Sequence, residues 1–239
     1  MRSFLRARQT ILFLFLFACA ALFSIRAAVR TPETVPASAD PPAVRLMIDP
    51  GHGGEDGGAS EEGVVEKDLN LAVARDVAEL CDLFGLPCAL TRTDDRMVYD
   101  AFHDLGDYTG QKKVYDLRNR IRLTKESGAE FLLSIHMNRF PDPSVRGMQL
   151  YYADAEGSDR AAERIRAYAA AYLDPERRRE NKRAGDAVYL LDRSPVPAVL
   201  AECGFLSNPE ERAALLSPAY RARLAAVLFA ASAEYLSGN

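Results

Sequence analysis

The stretch from Leu46 to Ala59, LMIDPGHGGEDGGA, constrains the fold more than any other part of this chain. Leu46, Met47 and Ile48 form an apolar run that reads as a buried strand. It leads into a glycine-rich turn, where Gly51, Gly53 and Gly54 let the backbone turn sharply and approach whatever His52 holds. The chain has 3 histidines, His52, His103 and His136. A second apolar run, FLLSIH from Phe131, also ends in one. Two strands that each deliver a histidine at the carboxyl end place them where open α/β sheets gather their chemistry. A neutral imidazole is a good zinc ligand, so the pair reads as two thirds of a metal site.

From Val44 onward, strand and helix signals alternate. Strands are expected at Val44–Asp49, Leu86–Thr91, Phe131–His136, Met148–Ala153, Ala187–Leu191 and Val196–Cys203. Helices are expected at about Glu66–Phe84, Leu117–Ser127, Ser158–Leu173 and Pro218–Leu236. In the first helix Leu69, Val73, Val77, Leu80 and Phe84 share one stripe, and Gly85 ends it. Asp94 to Lys113 reads as a polar loop. Such alternation predicts one α/β domain over 44–239, with a mostly parallel central sheet and helices on both faces.

The first 30 residues hold five arginines and no acid, which leaves 25 basic and 34 acidic residues in the rest, a net −9. That balance argues against nucleic acid as a partner. Arg2, Arg6 and Arg8 precede an uncharged apolar run, Ile11 to Ile25, closed by Arg26. Residues 1–29 therefore read as a signal peptide cut near Ala27 or Ala28, or as an uncleaved N-terminal membrane anchor. Leu16 to Cys19 faintly resembles a lipobox, but the apolar run continues past Cys19, which argues against lipidation. Either way the body of the protein is expected outside the cytoplasm. Residues 30–43, rich in Pro, Ala and Thr, read as a linker. Cys81 and Cys88 flank a helix-to-strand turn and could pair in an oxidising compartment, whereas Cys203 reads as a core thiol.

Four residues stand out chemically. Glu66 opens the first helix and precedes Leu69 by three positions and Val73 by seven, which puts its carboxylate on the inward stripe. Taken alone, the simpler account is an acidic residue favoured by the helix dipole; beside His52, ligation gains. His136 ends a buried strand. Glu202 lies in the otherwise apolar run VPAVLAECGFL. An unpaired buried carboxylate is costly, so it needs either an arginine partner or a function, and desolvation would bring its pKa toward a value useful for proton transfer. Two histidines and one glutamate would leave one zinc position open for water, whose pKa falls to about 7 there. With Glu202 moving a proton, His52, Glu66 and His136 supply the parts of metal-assisted amide hydrolysis. His103, in a polar loop, reads as a surface or cleft residue, and Arg92 as a core ion pair or a substrate contact. The glycines of GHGGEDGG lack the lysine pattern of a phosphate loop.

In this order, IDPGHGGEDGGA, VVEKDLNLAVA, LTRTDD, DLRNRIRLTKESGAEFLLSIHMN and PAVLAECGFLSNPEE resemble the zinc-dependent N-acetylmuramoyl-L-alanine amidases, from about Arg45 to Leu236. The resemblance implies Zn2+ held by His52, Glu66 and His136, Glu202 as catalytic acid/base, and cleavage of the amide between muramic acid and L-alanine in peptidoglycan. Family members often read SIHAN where this chain has SIHMN, so Met137 is expected to leave the ligand intact and reshape the cleft. Some larger members plug the site with an extra helix, for which residues 137–186 leave little room. The short exported chain, GVVEKDLNL and DLRNR are similar to the small members that mature the spore cortex, which remove peptide before a deacetylase closes the muramic δ-lactam. That implies sporulation and germination as the setting, with an activator protein or the cortex deacetylase as partner, in the wall or cortex space. A zinc peptidase acting on stem peptides and a non-catalytic wall-binding module are the alternatives.

Overall fold

A computed structural model describes residues 43–102, 111–174 and 179–238. The leader at 1–29, most of the linker and His103 lie outside the described residues. The core is a six-stranded sheet in the order β4-β1-β5-β8-β6-β7. Its strands are β1 (Leu46–Pro50), β4 (Cys88–Leu90), β5 (Phe131–Asn138), β6 (Gln149–Tyr152), β7 (Lys182–Arg183) and β8 (Ala198–Phe205). The strand pairs β4/β1, β1/β5, β5/β8 and β6/β7 run parallel, and only β6/β8 is antiparallel. A small hairpin of β2 (Ser60–Glu61) and β3 (Val64–Val65) stands apart.

Strand alternation sends Leu46, Ile48, Leu133 and Ile135 to one face of the sheet and Met47, Leu132 and Leu200 to the other. The first face is covered by α1 (Glu66–Phe84), α3 (Ser158–Tyr172) and α6 (Pro218–Ser237). The second meets α2 (Lys112–Ser127) and the one-turn α4 (Tyr189–Asp192). The result is a single mixed α/β domain with a mostly parallel sheet covered on both sides.

Four local differences from the sequence-based expectation have physical causes. Ala187–Leu191, expected as a strand, is a 3₁₀ turn (Gly185–Ala187) followed by α4. Leu190 and Leu191 bury against the second face, and so short an apolar run carries no period that separates strand from helix. The edge beyond β6 is taken instead by the exposed pair Lys182–Arg183, the charged kind of edge that resists further pairing. The helix expected from Leu117 begins at Lys112, because its buried residues Asp116, Asn119, Arg120 and Thr124 are polar and invisible to an apolar period. The hairpin and α5 (Pro209–Leu216) were not anticipated. The hairpin turns through Glu62 (φ 46°) and Gly63 (φ 79°), both left-handed as a two-residue hairpin requires. The α5 signal was present in SNPE: Asn208 caps Glu211 N (3.0 Å) and Pro209 sits in the first turn.

The polar face of α2 meets the end of β1 through Arg120 and the main chain of Val98 and Tyr99 through Asp116 and Asn119. Arg120 is 1% exposed and donates to Asp49 Oδ1 (2.6 Å), Asp116 Oδ2 (2.7 Å) and the carbonyls of Pro50 (2.9 Å) and His52 (2.7 Å). Asp49, at the end of β1, also accepts from Thr91 (2.6 Å) and Ser134 (2.7 Å). Burial alone would raise the Asp49 pKa, but the Arg120 charge and these donors bring it down to about 2. A carboxyl depressed in the folded state contributes stability that is fully present above its unfolded pKa and lost as the pH falls toward the folded one. The wild type is therefore expected to be more stable than Asp49→Asn at pH 6. Between pH 5 and pH 2 that gap should shrink by about 2 kcal/mol, read from urea unfolding across a pH series. A gap that stays constant with pH would show that Asp49 is not held ionised by Arg120.

Candidate metal centre

Three elements converge at the carboxyl edge of the sheet. His52 follows β1 in the turn, Glu66 is the first residue of α1, and His136 lies near the end of β5, which continues two residues beyond it. Glu66 Oε1 is 3.3 Å from His52 Nε2 and 2.9 Å from His136 Nδ1. The imidazoles meet edge to face, with centroids 4.9 Å apart. One ligand atom from each residue lies within 4.8 Å of the others, an arrangement that could hold a metal ion.

The glycines are required by crowding. A Cβ on Gly51 would overlap the His136 imidazole, and one on Gly58 would overlap Glu66 Oε2 and come within 2.6 Å of His52 Cδ2. His52 itself has φ 62°, a left-handed conformation uncommon outside glycine. Its neighbours fix that turn. Arg120 holds the His52 carbonyl, and Arg92 donates to the carbonyls of Pro50 (2.9 Å), Gly51 (3.0 Å), Asp94 (3.0 Å) and Lys67 (2.9 Å). Arg92 is neither the core ion pair nor the substrate contact expected of it. It is a buried cation that clamps main chain, and burial beside Arg120 lowers its pKa to about 10.

Glu66 is 3% exposed and supplied with donors. Ala59 N donates to Oε2 (2.6 Å); Met137 N (3.1 Å) and Asn70 Nδ2 (3.3 Å) donate to Oε1. Burial pushes its pKa up, but the bonds to His136 and His52 outweigh that and hold the carboxyl well below its usual range. For His52 the contest is the mirror image. Burial lowers its pKa, and the Glu66 and Asp56 carboxylates raise it overall. Asp56 Oδ2 is 3.0 Å from His52 Nδ1 but out of line with it, so that buried nitrogen makes no aligned hydrogen bond.

Glu202 lies on β8 directly opposite His136 in the β5/β8 register. Its Oε2 is buried with no hydrogen-bond partner among the described residues. Burial raises its pKa to about 7, offset in part by the nearby His136. Among the described residues, no arginine pairs with it as a structural role would need. A cleft of about 390 Å³ opens beside the two histidines, walled by Lys113, Leu117, Val188 and Tyr189. None of the described residues between 137 and 186 lines it. Met137, expected to reshape this cleft, is instead 1% exposed in the core on the α1 face.

Residues 46–232 match the family model described as N-acetylmuramoyl-L-alanine amidase. The chain belongs to the N-acetylmuramoyl-L-alanine amidase family. It is 32% identical to the germination-specific N-acetylmuramoyl-L-alanine amidase of Bacillus subtilis, over 80% of this chain and 79% of that protein. It is 31% identical to the B. subtilis amidase LytC, again over 80% of this chain but only 35% of that longer protein. Among solved structures it resembles the CwlD amidase of Clostridioides difficile, determined in complex with the GerS lipoprotein. That match has a TM-score of 0.75 and 34% identity, and covers 82% of this chain and all of that one.

Membership in this amidase family accounts for the order of the motifs, and the structure adds residues that the sequence reading passed over. Arg120, Asp116, Asn70 and Asp56 all support the cluster: Arg120 reaches Asp49 and the His52 carbonyl from about 70 positions away, and Asn70 reaches the Gly51 carbonyl, while Asp116–Arg120, Asn70–Glu66 and Asp56–His52 are each four residues apart. The one available signal was DLRNR, where two arginines and an aspartate share a helix with few apolar residues. The glycine argument is directly testable. Gly51→Ala should push the His136 ring away from Glu66, weakening binding of a divalent metal by roughly 10–100-fold with an unchanged far-ultraviolet circular dichroism spectrum. Calorimetric titration giving wild-type affinity would show that Gly51 does not set the spacing of the cluster.

Proposed function

We propose that this chain is a zinc-dependent amidase that cuts the bond between the muramic acid lactyl group and L-alanine in peptidoglycan, in the service of spore-cortex maturation. The observation that carries the proposal is the convergence of His52, Glu66 and His136 with the unpartnered Glu202 carboxylate one strand away. Two imidazole nitrogens and one carboxylate oxygen are the donor set of a hydrolytic zinc site. The crowding at Gly51 and Gly58 leaves the three donors facing one another. When bound there, zinc supplies Lewis acidity toward the scissile carbonyl and toward water.

The protein residues divide the remaining work. Glu66 stays ionised because five polar groups point at it: two main-chain N–H groups, the Asn70 amide and both imidazoles. Arg92 and Arg120 hold the turn that presents His52. Glu202, with a pKa of about 7 and no competing partner among the described residues, takes a proton from the attacking water and returns it to the leaving L-alanine nitrogen. The open cleft admits a peptide attached to a glycan strand.

Similarity to the germination-specific amidase supports the cortex role, and the basic, apolar leader supports work outside the cytoplasm. The leader lies outside the described residues, and among those no single helix is long and apolar enough to cross a membrane. The C. difficile relative was solved with a lipoprotein, which supports a protein partner for this chain as well.

Digestion of spore peptidoglycan by the purified protein with zinc, read by mass spectrometry, tests the proposal. Intact stem peptides beginning with L-alanine are expected. Products cut inside the stem would favour a zinc peptidase, and no products at all a wall-binding module. His136→Ala should lose stoichiometric zinc together with activity. Glu202→Gln should stay folded, keep near-normal zinc and lose turnover by about 10²–10⁴-fold. Normal turnover in Glu202→Gln would remove it from the mechanism.

A further inference from the structure

Cys81 and Cys88 meet at the end of the sheet opposite the metal cluster, and nothing in the amidase chemistry uses them. Cys81 is on the inward stripe of α1 with Val73 and Val77, each one turn apart, and is fully buried. After Phe84, Gly85 turns the chain in a left-handed conformation (φ 72°), and Leu86 N donates back to the Cys81 carbonyl (2.9 Å). Cys88 then opens β4, paired with Leu46. Strand alternation sends Ala89 to the second face of the sheet but Cys88 and Leu90 to the face that α1 covers. Both sulfurs therefore enter one apolar cluster, where each thiol shifts the titration of the other. Cys88 is half-buried on an edge strand, open to a soluble reagent, while Cys81 is behind it. Cys203, by contrast, is buried in β8 with its thiol directed at the Ala201 carbonyl.

We infer that Cys81 and Cys88 form a disulfide in the mature, exported protein, tying the C-terminal end of α1 to β4. The inference rests on the extracytoplasmic location in the proposed function. The oxidant is a small-molecule or protein disulfide. The Cys88 thiolate attacks one of its sulfurs, forming a mixed disulfide and releasing the first thiol. The Cys81 thiolate then attacks the Cys88 sulfur, forming the internal bond and releasing the second thiol. Two electrons pass to the oxidant, which leaves as two thiols.

One tryptic peptide, Asp76 to Arg92, contains both cysteines and no internal Lys or Arg, so the test reads a single species. The full chain is purified from the exported fraction, denatured and alkylated with iodoacetamide without reductant. The expected peptide carries no adduct and is two hydrogens lighter than the dithiol form, and it gains two adducts after reduction. In parallel, reduced protein is incubated with oxidised glutathione at pH 8, where the same light peptide should appear. The oxidised protein should melt roughly 4–10 °C above its reduced form. Cys88→Ser should show no such response to reductant, which separates the bond from a general effect of reductant on folding. Alkylated thiols in both samples would overturn the inference on geometry. Alkylated thiols in the exported sample beside a bond formed in glutathione would overturn it through the compartment, leaving the amidase assignment to be judged by the muropeptide digest.

Discussion

The arrangement at the carboxyl edge of the sheet depends on keeping one buried carboxylate, Glu66, ionised. Taking a carboxylate out of water costs several kcal/mol even after relaxation, and here that cost falls at the start of a helix. Its two oxygens accept from Ala59 N, Met137 N and Asn70 Nδ2 and contact both histidines. The helix N-terminus adds a favourable field. Each donor comes from a different stretch of chain: the loop before the hairpin, β5, and the next turn of α1. Glu66 thereby joins those stretches. The glycines at 51 and 58 follow from that closeness, since the neighbouring backbone has to pass where a side chain would overlap the cluster.

Glu202 makes the opposite case. It occupies the next strand in register with His136, yet no donor among the described residues reaches its buried Oε2. Two glutamates at one sheet edge thus sit in opposed environments: one is saturated with donors and fixed as an anion, the other is partly desolvated, which raises its pKa to about 7. Opposed environments of this kind let two identical side chains take different parts in one reaction. An arginine beside Glu202 would have erased the difference. Arg92 and Arg120 are instead committed to Asp49 and to main-chain carbonyls, where they hold the loop that carries His52.

Legibility in the sequence followed the kind of signal each part emitted. The strand β1, the helix α1 and the closing α6 were readable because β1 begins with an unbroken apolar run, α1 carries a clear apolar stripe, α6 is rich in apolar residues, and their ends are marked by glycine or proline. His52, Glu66, His136 and Glu202 were readable as polar exceptions inside apolar runs or beside glycines, and the structure brings all four to one edge. The first half of α2 was not readable, because its buried face is built from Asp116, Asn119 and Arg120, whose partners beyond the helix lie in β1 and at Val98 and Tyr99. Leu190 and Leu191 gave an ambiguous run too short to show a period. The role of Arg92 was out of reach for a further reason: its four partners are carbonyls, and every residue has one.

The two ends of the sheet are built on different principles, and the position of α1 couples them. At its N-terminus the helix is held by polar contacts to Glu66 and by Arg92 reaching the Lys67 carbonyl. Those contacts are directional, so a rotation of the helix about its axis would break them. Along its middle, Val73 and Val77 pack on the sheet through contacts that are strong in sum but tolerant of small slides. A helix pinned only at its first turn and greased along its length can still pivot at the far end, and that pivot moves the pinned end least when the far end is also fixed. The Gly85 turn and the Leu86 to Cys81 hydrogen bond provide part of that second fixture, just before β4, which is the edge of the sheet among the described residues. A covalent link at this point would restrain the helix where the sheet itself offers least support, while leaving the carboxyl edge free of any cross-link that would narrow the cleft.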